Sequence, residues 1–308
     1  MSKEWNGKRY HSLNYFLRDK FGEKVFKVSL DGGFSCPNRD GKISKGGCLF
    51  CSERGSGDFA GDREFSISKQ FADVKNMMSN KWKSGKYIAY FQAYTNTYAP
   101  VEVLRKKYEE ALSQEGVVAI SIATRPDCLE DDVLDLLDEI NKKVYLWIEL
   151  GLQTSNDESA KRINRGYSLK VFEDAMKKLK ERNIDVVVHD ILGLPGETKD
   201  DMIKTIDYIA HSGAKGIKFH LLHLMKQTPL VKIYEKGNLE FLSQEDYIEL
   251  ITKGISMLPE DMVVHRLTGD APRELLIGPM WSLKKWEVLN SIDKTLEEND
   301  LWQGKNFS

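Results

Sequence analysis

Three of the four cysteines in this 308-residue chain, Cys36, Cys48 and Cys51, lie in one short, glycine-rich segment. Thiolates are the ligands that soft metal ions and iron–sulfur clusters prefer. Three protein ligands, rather than four, suit a cluster in which one iron stays free to bind a reacting molecule. The residue types and their spacing therefore predict a metal or iron–sulfur centre in this segment.

Two simpler sites would use the same cysteines. Cys48 and Cys51 are separated by two residues, a spacing that is also found in zinc sites and in redox dithiols. A structural zinc ion needs a fourth ligand, for which Cys128 is the candidate, and a redox dithiol leaves Cys36 without a role. We expect Cys128 to be an ordinary small residue or a helix start, so the cluster is the preferred interpretation.

The composition is that of an ordinary globular protein, with 41% apolar residues, 30% charged residues and a formal net charge of −2. Such a charge creates no global field that would attract nucleic acid. No apolar run reaches membrane-spanning length, and the first ten residues lack the apolar core of a signal peptide. With so few cysteines, we expect a cytoplasmic protein that has neither a membrane partner nor a disulfide scaffold. Three local basic clusters are expected to be solvated helix faces: Lys81/Lys83/Lys86, Arg105/Lys106/Lys107 and Lys177/Lys178/Lys180/Arg182.

Short apolar runs alternate with amphipathic stretches along most of the chain, which predicts a parallel sheet covered by helices. The predicted strands are Val25–Leu30, Tyr87–Gln92, Val117–Ala123, Val144–Leu150, Asp185–Leu192 and Lys215–Leu222. The predicted helices are Ser68–Lys81, Val101–Gln114, Glu130–Asn141, Leu169–Arg182 and Lys199–His211. Six such units can curl into a full or partial barrel. We therefore expect an α/β fold of the partial (β/α)6 TIM-type barrel class.

The alternation changes after the sixth predicted strand. Two more helices are predicted at Phe241–Leu258 and Trp281–Glu298, with a strand between them at Met262–Leu267. We interpret this part as an extension that packs on the barrel. The expected organisation is an N-terminal extension (1–24), a barrel (25–240) and a C-terminal extension (241–308).

The last predicted helix begins near Lys284, Lys285 and Trp286. The two lysines are available to a polyanion. A tryptophan can stack on a nucleic-acid base, but we expect Trp286 to pack in the core.

Polar residues at the predicted strand ends are candidates for the substrate side of a site. In parallel barrels the reactive site lies at the carboxyl ends of the strands, and the cysteine segment follows the first strand. Arg125 follows the third strand, while His220 and His223 end the sixth. Asp270 lies in a segment that we expect to fold over the mouth of the barrel.

Glu149 stands in an apolar run, Trp147-Ile148-Glu149-Leu150, at the end of the fourth predicted strand. A carboxylate buried without a partner is costly. We therefore expect Glu149 to belong to a functional site.

The cysteine segment resembles that of radical S-adenosylmethionine (SAM) enzymes. In those enzymes, three cysteines hold a [4Fe–4S] cluster, whose fourth iron binds SAM for cleavage to a 5′-deoxyadenosyl radical. Most members have Cys-x3-Cys-x2-Cys, whereas this chain has Cys36-x11-Cys48-x2-Cys51. A widened first gap also occurs in the Elongator catalytic subunit and its relatives. The run Asp31–Gly41, DGGFSCPNRDG, resembles a closer group, the YhcC/YtqA-like radical SAM proteins.

The resemblance implies a set of SAM contacts at the ends of the strands. Glu149 and Gln153 would reach the ribose and methionine parts of SAM. Arg162 or Arg165 would pair with its carboxylate. The run from His189 to Thr198 resembles the segment beneath the adenine, which adds His189 and Gly193. The glycine-rich segment that usually holds the amino group is missing, and the available residues in its place are Gln92, Tyr94, Thr95 and Asn96.

The function that the resemblance implies is radical SAM chemistry on the wobble uridine of transfer RNA. The expected step converts 5-carboxymethylaminomethyl-uridine to 5-aminomethyl-uridine, with an electron from a reductant such as flavodoxin or ferredoxin. Two alternatives stay open. One is a radical SAM enzyme that acts on a small molecule, and the other is a zinc or iron–sulfur binding protein without catalysis.

Overall fold

The computed structural model describes residues 4–79 and 85–308. Within these residues, seven parallel strands form one curled sheet whose spatial order follows the chain. The strands are β1 Val25–Leu30, β2 Lys86–Phe91, β3 Val117–Thr124, β4 Tyr145–Gln153, β5 Asp185–Leu192, β6 Gly216–Leu221 and β8 Val263–Arg266. Two short strands, β7 (Leu224–Met225) and β9 (Leu276–Gly278), pair antiparallel beside it. The predicted partial barrel is confirmed.

Helices follow most of the strands and cover the outside of the sheet. Their bounds are α1 Leu13–Phe21, α2 Ile67–Ser79, α3 Val101–Leu112, α4 Asp131–Asn141, α5 Asp157–Arg162, α6 Leu169–Glu181, α7 Lys199–His211, α8 Val231–Glu235, α9 Gln244–Met257 and α10 Lys285–Glu298. All predicted helices are found close to their predicted bounds. The helix predicted at Ser68–Lys81 corresponds to α2, and its predicted end at Lys81 lies outside the described residues.

Local sequence accounts for where these helices begin and which face they bury. Thr198 caps α7 through a capping box with Asp201, which satisfies two otherwise free backbone N–H groups. On α4 the apolar side chains recur at helical spacing, and Val133, Leu137 and Ile140 are all buried in the main core. The main core therefore lies between the outer face of the sheet and its helices. On the inner face, Leu17 of α1 packs in a smaller cluster with Ile88, Ala119, Trp147 and Val187, and the strand ends beyond this cluster border a cavity.

The predicted strand at Met262–Leu267 is found as β8, and it joins the main sheet. It pairs parallel with β6, with Val263 opposite Gly216. The sheet thus continues beyond residue 240. This pairing brings the residues that follow β8 to the same edge of the sheet as the ends of the other strands.

The expectation that Trp286 packs in the core is wrong, because its side chain is 77% exposed. The buried positions of α10 are Val288, Ile292 and Leu296, which repeat every four residues. Trp286 lies two residues before this series and therefore points about 200° away from the buried face.

Two of the three basic clusters lie on solvated helix faces as predicted, but Lys86 of the third begins strand β2 and is not on a helix. Arg105 pairs with Glu139, and Lys178 pairs with Asp131, between neighbouring helices. Lys81 and Lys83 lie outside the described residues. None of the described helices is long and apolar enough to cross a membrane.

Candidate active site

The loop between β1 and α2 places Cys36, Cys48 and Cys51 over the carboxyl ends of the strands. All three are free cysteines, and all three line one cavity of about 250 Å³. The wall of this cavity is completed by side chains from the ends of β2 to β6 and from the segment after β8. The cysteines therefore face the inside of the partial barrel, as expected for a reactive centre.

Hydrogen bonds to the backbone hold the cysteine loop in place. The Arg39 guanidinium donates to the carbonyl of Cys51 at 2.9 Å. Asn38 donates through Nδ2 to the carbonyl of Asn164 at 2.7 Å, and the same atom lies 3.6 Å from Cys48 Sγ. Gly47 has a positive φ of 80°, and a Cβ there would lie 2.8 Å from Arg39 Nε. Only glycine allows the loop to close this tightly on Arg39.

The surroundings of Cys48 disfavour its ionised form, so a positively charged group bound there would stabilise the thiolate. Burial, together with the charges of Cys51 and Cys36, raises the pKa of Cys48 to about 12. Among the described residues, no three Cys, His, Asp or Glu side chains are grouped as ligands of one metal ion. A [4Fe–4S] cluster does not need such convergence, since its cysteines bind different irons. Three free thiols that line one cavity are the donor set that such a cluster uses.

Two predicted SAM contacts at the end of β2 line the cavity and also support the loop. Gln92 donates through Nε2 to the carbonyl of Ser56 at 2.9 Å. Tyr94 has a positive φ of 60° and packs against Gly55, where a Cβ would lie 2.5 Å from its ring. Asn96 is different, because it is fully buried and donates to the carbonyl of Ala123 instead of lining the cavity.

Glu149 is the centre of a buried polar network rather than a free side chain. Its carboxylate accepts from Lys27 and Lys218, each at 2.6 Å. It also accepts from Ser121 Oγ at 3.0 Å and lies 2.9 Å from His189 Nε2. The side chain has no exposed surface. The predicted functional carboxylate is therefore compensated by partners from four different strands.

The charges within this network follow from burial and pairing. Burial alone would raise the pKa of Glu149, but Lys218, Lys27 and the hydrogen bond from His189 outweigh it and hold that pKa well below its usual range. Burial, with the charge of Lys218, lowers the pKa of His189 to about 4. His189 is thus neutral at pH 7, and its Nε2–H must donate, because the ionised carboxylate can only accept.

Of the predicted SAM contacts Gln153 and Arg165, at and after the end of β4, only Gln153 lines the cavity. Gln153 lines the cavity and accepts from the Tyr167 hydroxyl at 3.0 Å. Arg165 is fully buried, and its five donors are all used, on the carbonyls of Leu152, Thr154 and Tyr167 and on Asp157. The structure therefore leaves no Arg165 donor directed at the cavity.

Arg162 links the segment after β4 to the turn after β5, which are far apart in the sequence. Its Nη1 donates to the carbonyl of Pro195 at 2.6 Å, in the turn after β5. A Cβ at Gly196 would lie 2.2 Å from the same atom, so glycine is needed for this contact. Gly193 packs beside Leu242. Neither Arg162 nor Gly193 lines the cavity.

The four predicted substrate-side residues, Arg125, His220, His223 and Asp270, all line the cavity. Arg125 forms a two-point ion pair with Asp127, at 2.9 and 2.7 Å. The segment after β8 does reach the mouth of the barrel, as expected.

Lys218 and Tyr90 are two cavity-lining residues that sequence reasoning did not single out. Lys218 is only 6% exposed and donates to the Tyr90 hydroxyl at 3.0 Å. The sequence does contain a signal for Lys218. This lysine interrupts the largely apolar run Gly216–Leu221, just as Glu149 interrupts the apolar run Trp147–Leu150. Two opposite charges in two buried strands indicate a pair.

Comparison with known proteins agrees with this site. Residues 39–209 match the Radical SAM superfamily, and residues 214–298 match the Radical SAM C-terminal domain. The chain is 58% identical to the uncharacterized protein YtqA of Bacillus subtilis over 300 residues, which cover 97% of this chain and 93% of that protein. It is 39% identical to the protein YhcC of Escherichia coli over 92% of this chain and 91% of that protein.

More distant similarity extends to proteins with larger chains. The tRNA uridine(34) acetyltransferase of Methanocaldococcus infernus is 27% identical over 64% of this chain but only 37% of that protein. The solved structure of Elp3 from Methanocaldococcus infernus superposes with a TM-score of 0.69 at 18% identity, over 90% of this chain and 63% of that one. At that identity the superposition shows a shared fold.

Proposed function

The chain belongs to the radical SAM superfamily, and we propose that it modifies the wobble uridine of transfer RNA. Enzymes of this family use a [4Fe–4S] cluster and SAM. The observation that carries the proposal is one cavity that combines three free cysteines with a wall of polar side chains from five neighbouring strands. Such a cavity offers places for a cluster, for SAM and for a substrate group beside them.

Cys36, Cys48 and Cys51 would hold the cluster, supported by Arg39 and Asn38. When cluster and SAM are bound, the family's chemistry supplies a 5′-deoxyadenosyl radical that takes a hydrogen atom from the substrate. Gln92, Tyr94, Gln153 and His189 line the cavity and are the residues that we assign to SAM. Glu149 orients His189 and Lys218, since its own oxygens are already shared among its partners.

The proposed substrate is 5-carboxymethylaminomethyl-uridine, whose carboxymethyl arm would leave as glyoxylate to give 5-aminomethyl-uridine. SAM, reduced to methionine and 5′-deoxyadenosine, would be the two-electron oxidant that converts the N–CH2 unit of the arm to an imine, and water would hydrolyse that imine. The hydrogen atom would be taken from that arm. Support comes from the similarity to a tRNA uridine(34) acetyltransferase over 64% of this chain and to Elongator complex protein 3 of Mus musculus over 55% of it. The exposed Trp286, next to Lys285, adds a surface on which a base can stack.

Two further conditions belong to this proposal. The electron that starts the reaction would come from a reductant such as flavodoxin or ferredoxin. The protein would work in the cytoplasm, where thiols stay reduced and where transfer RNA is available.

The experiment that tests the function compares the nucleosides of transfer RNA from cells with and without the gene. We expect 5-carboxymethylaminomethyl-uridine to accumulate and 5-aminomethyl-uridine to disappear in the deletion strain. The intact gene should restore the product, Cys48→Ala should not, and Cys128→Ala should. If no wobble uridine changes, the substrate is not transfer RNA and a small-molecule substrate takes its place.

A further inference from the structure

The inner end of the cavity carries more positive than negative charge. Glu149 is shared by Lys27 and Lys218, at 2.6 Å each. At the rim, the Asp270 carboxylate lies 3.4 Å from Arg266 and 2.5 Å from Lys285. Each of these two carboxylates therefore faces two cations. Burial lowers the pKa of Lys218 to about 7, so this lysine carries its charge only in part at pH 7 and an anion beside it would favour the charged form. This excess of cations, buried at Lys218 and partly exposed at Arg266 and Lys285, favours an anionic ligand.

Two imidazoles in the same region have a buried nitrogen without a partner. The Nε2 atoms of His220 and His223 make no hydrogen bond, although both side chains line the cavity. Burial lowers the pKa of both rings, so they are neutral at pH 7. A neutral imidazole can donate one hydrogen bond. A hydrogen-bond acceptor that enters the cavity would therefore pair with these imidazole nitrogens. Without it they stay buried without a hydrogen bond, which costs free energy.

These groups lie at one edge of the sheet, and the cysteines lie at the other. Lys218 and His220 are on β6 and Arg266 ends β8, whereas the cysteine loop follows β1. All of them border the same cavity. A ligand can therefore present one end to this region while its remainder extends toward the cluster side.

We propose that Lys218, His220, His223 and Arg266 form an anion subsite, called here the polar floor, which binds the carboxylate of the substrate. The assignment rests on the proposed function, because 5-carboxymethylaminomethyl-uridine carries such a carboxylate and its product does not. The polar floor would hold the carboxymethyl arm in one orientation during hydrogen abstraction. It would also make the carboxylate the feature by which substrate is distinguished from product.

The test measures binding of two anticodon stem-loop RNAs that differ only in the wobble base, 5-carboxymethylaminomethyl-uridine or 5-aminomethyl-uridine. The protein is loaded with cluster and kept without oxygen. The wild type should bind the carboxylate RNA on the order of tenfold more tightly. His220→Ala and Arg266→Gln should reduce this preference to near unity while binding of the product RNA is unchanged. Lys218 is left intact, because its removal would also take away one of the two lysines that pair with Glu149.

Lys215→Gln is the matched control, since Lys215 precedes β6 and its exposed side chain pairs with Asp261 on the surface. It should keep the full preference. Variants that lose affinity for both RNAs equally would show a structural role and overturn the assignment.

Two more measurements separate the possible failures. If the wild type does not convert the carboxylate RNA, the proposed function itself fails. If it does convert that RNA but the floor variants keep the full preference, the polar floor is wrongly assigned. SAM also has a carboxylate, so SAM affinity is measured for each variant. A fall in SAM affinity with the RNA preference intact would assign the subsite to SAM and overturn the proposal.

Discussion

Lys218 on β6 and Glu149 on β4 form a buried ion pair across the intervening strand β5, with Nζ 2.6 Å from Oε2. Lys27, from β1, reaches the other carboxylate oxygen at 2.6 Å. His189 on β5 contacts the same carboxylate. One side chain thus links both halves of the partial barrel beneath the cavity. The following predictions test this network and the site above it.

Glu149→Gln should destabilise the fold by about 3–5 kcal/mol, because it leaves Lys27 and Lys218 without their shared counter-charge in a buried place. The measurement is the free energy of unfolding from urea titration. Glu115→Gln is the control, since Glu115 is 92% exposed in its pair with Lys75, and it should cause no measurable loss. Equal stability of the two variants would contradict the role of the network.

Stability should fall as pH is lowered from about 6.5 toward 4. Burial, with a nearby cation, lowers the pKa of both His189 and His223 to about 4 in the fold, against 6.5 for a free histidine. Between these values only the unfolded chain binds the proton, so acid favours unfolding by up to about 1.4 kcal/mol per pH unit for each residue. His223→Gln should make the slope of unfolding free energy against pH shallower. An unchanged slope would contradict the burial argument.

Cys48→Ala should lose its iron and release no 5′-deoxyadenosine under reducing conditions, because a thiol ligand is missing. Cys128→Ala is the matched control, as Cys128 is buried and does not line the cavity. It should retain about four irons per chain, as a [4Fe–4S] cluster requires. Iron and sulfide analysis of anaerobically reconstituted protein is the measurement. One zinc per chain and no sulfide in the intact protein would refute the cluster.

Arg165→Lys should destabilise the protein by about 3 kcal/mol, since one ammonium cannot replace five guanidinium donors that satisfy buried carbonyls. Arg162→Lys should cost much less, because the Arg162 side chain donates one hydrogen bond among the described residues, to the carbonyl of Pro195. Thermal unfolding and SAM affinity are measured together. A loss of SAM affinity at unchanged stability would instead give Arg165 the carboxylate-binding role that the resemblance implies.

Local patterns in the sequence were enough to predict the scaffold. Strands β1 and β5 are found with the predicted bounds, Val25–Leu30 and Asp185–Leu192, because runs of apolar and β-branched residues report burial without knowledge of their neighbours. The capping role of Thr198 depends only on residues three positions apart. The order of the strands then agrees with two general tendencies, that consecutive strands lie next to each other and that their crossovers are right-handed.

The sequence by itself determined that Glu149 needs a partner, but only the tertiary structure decided which partner. Lys27, His189 and Lys218 lie far apart in the chain, and their meeting depends on how far the sheet curls. The same holds for Arg165, whose carbonyl partners exist only once the turn after β4 has folded. Hydrophobic periodicity can be recognised within a short segment of the chain. Which charges pair across the barrel depends instead on how the whole sheet curls and brings distant strands together.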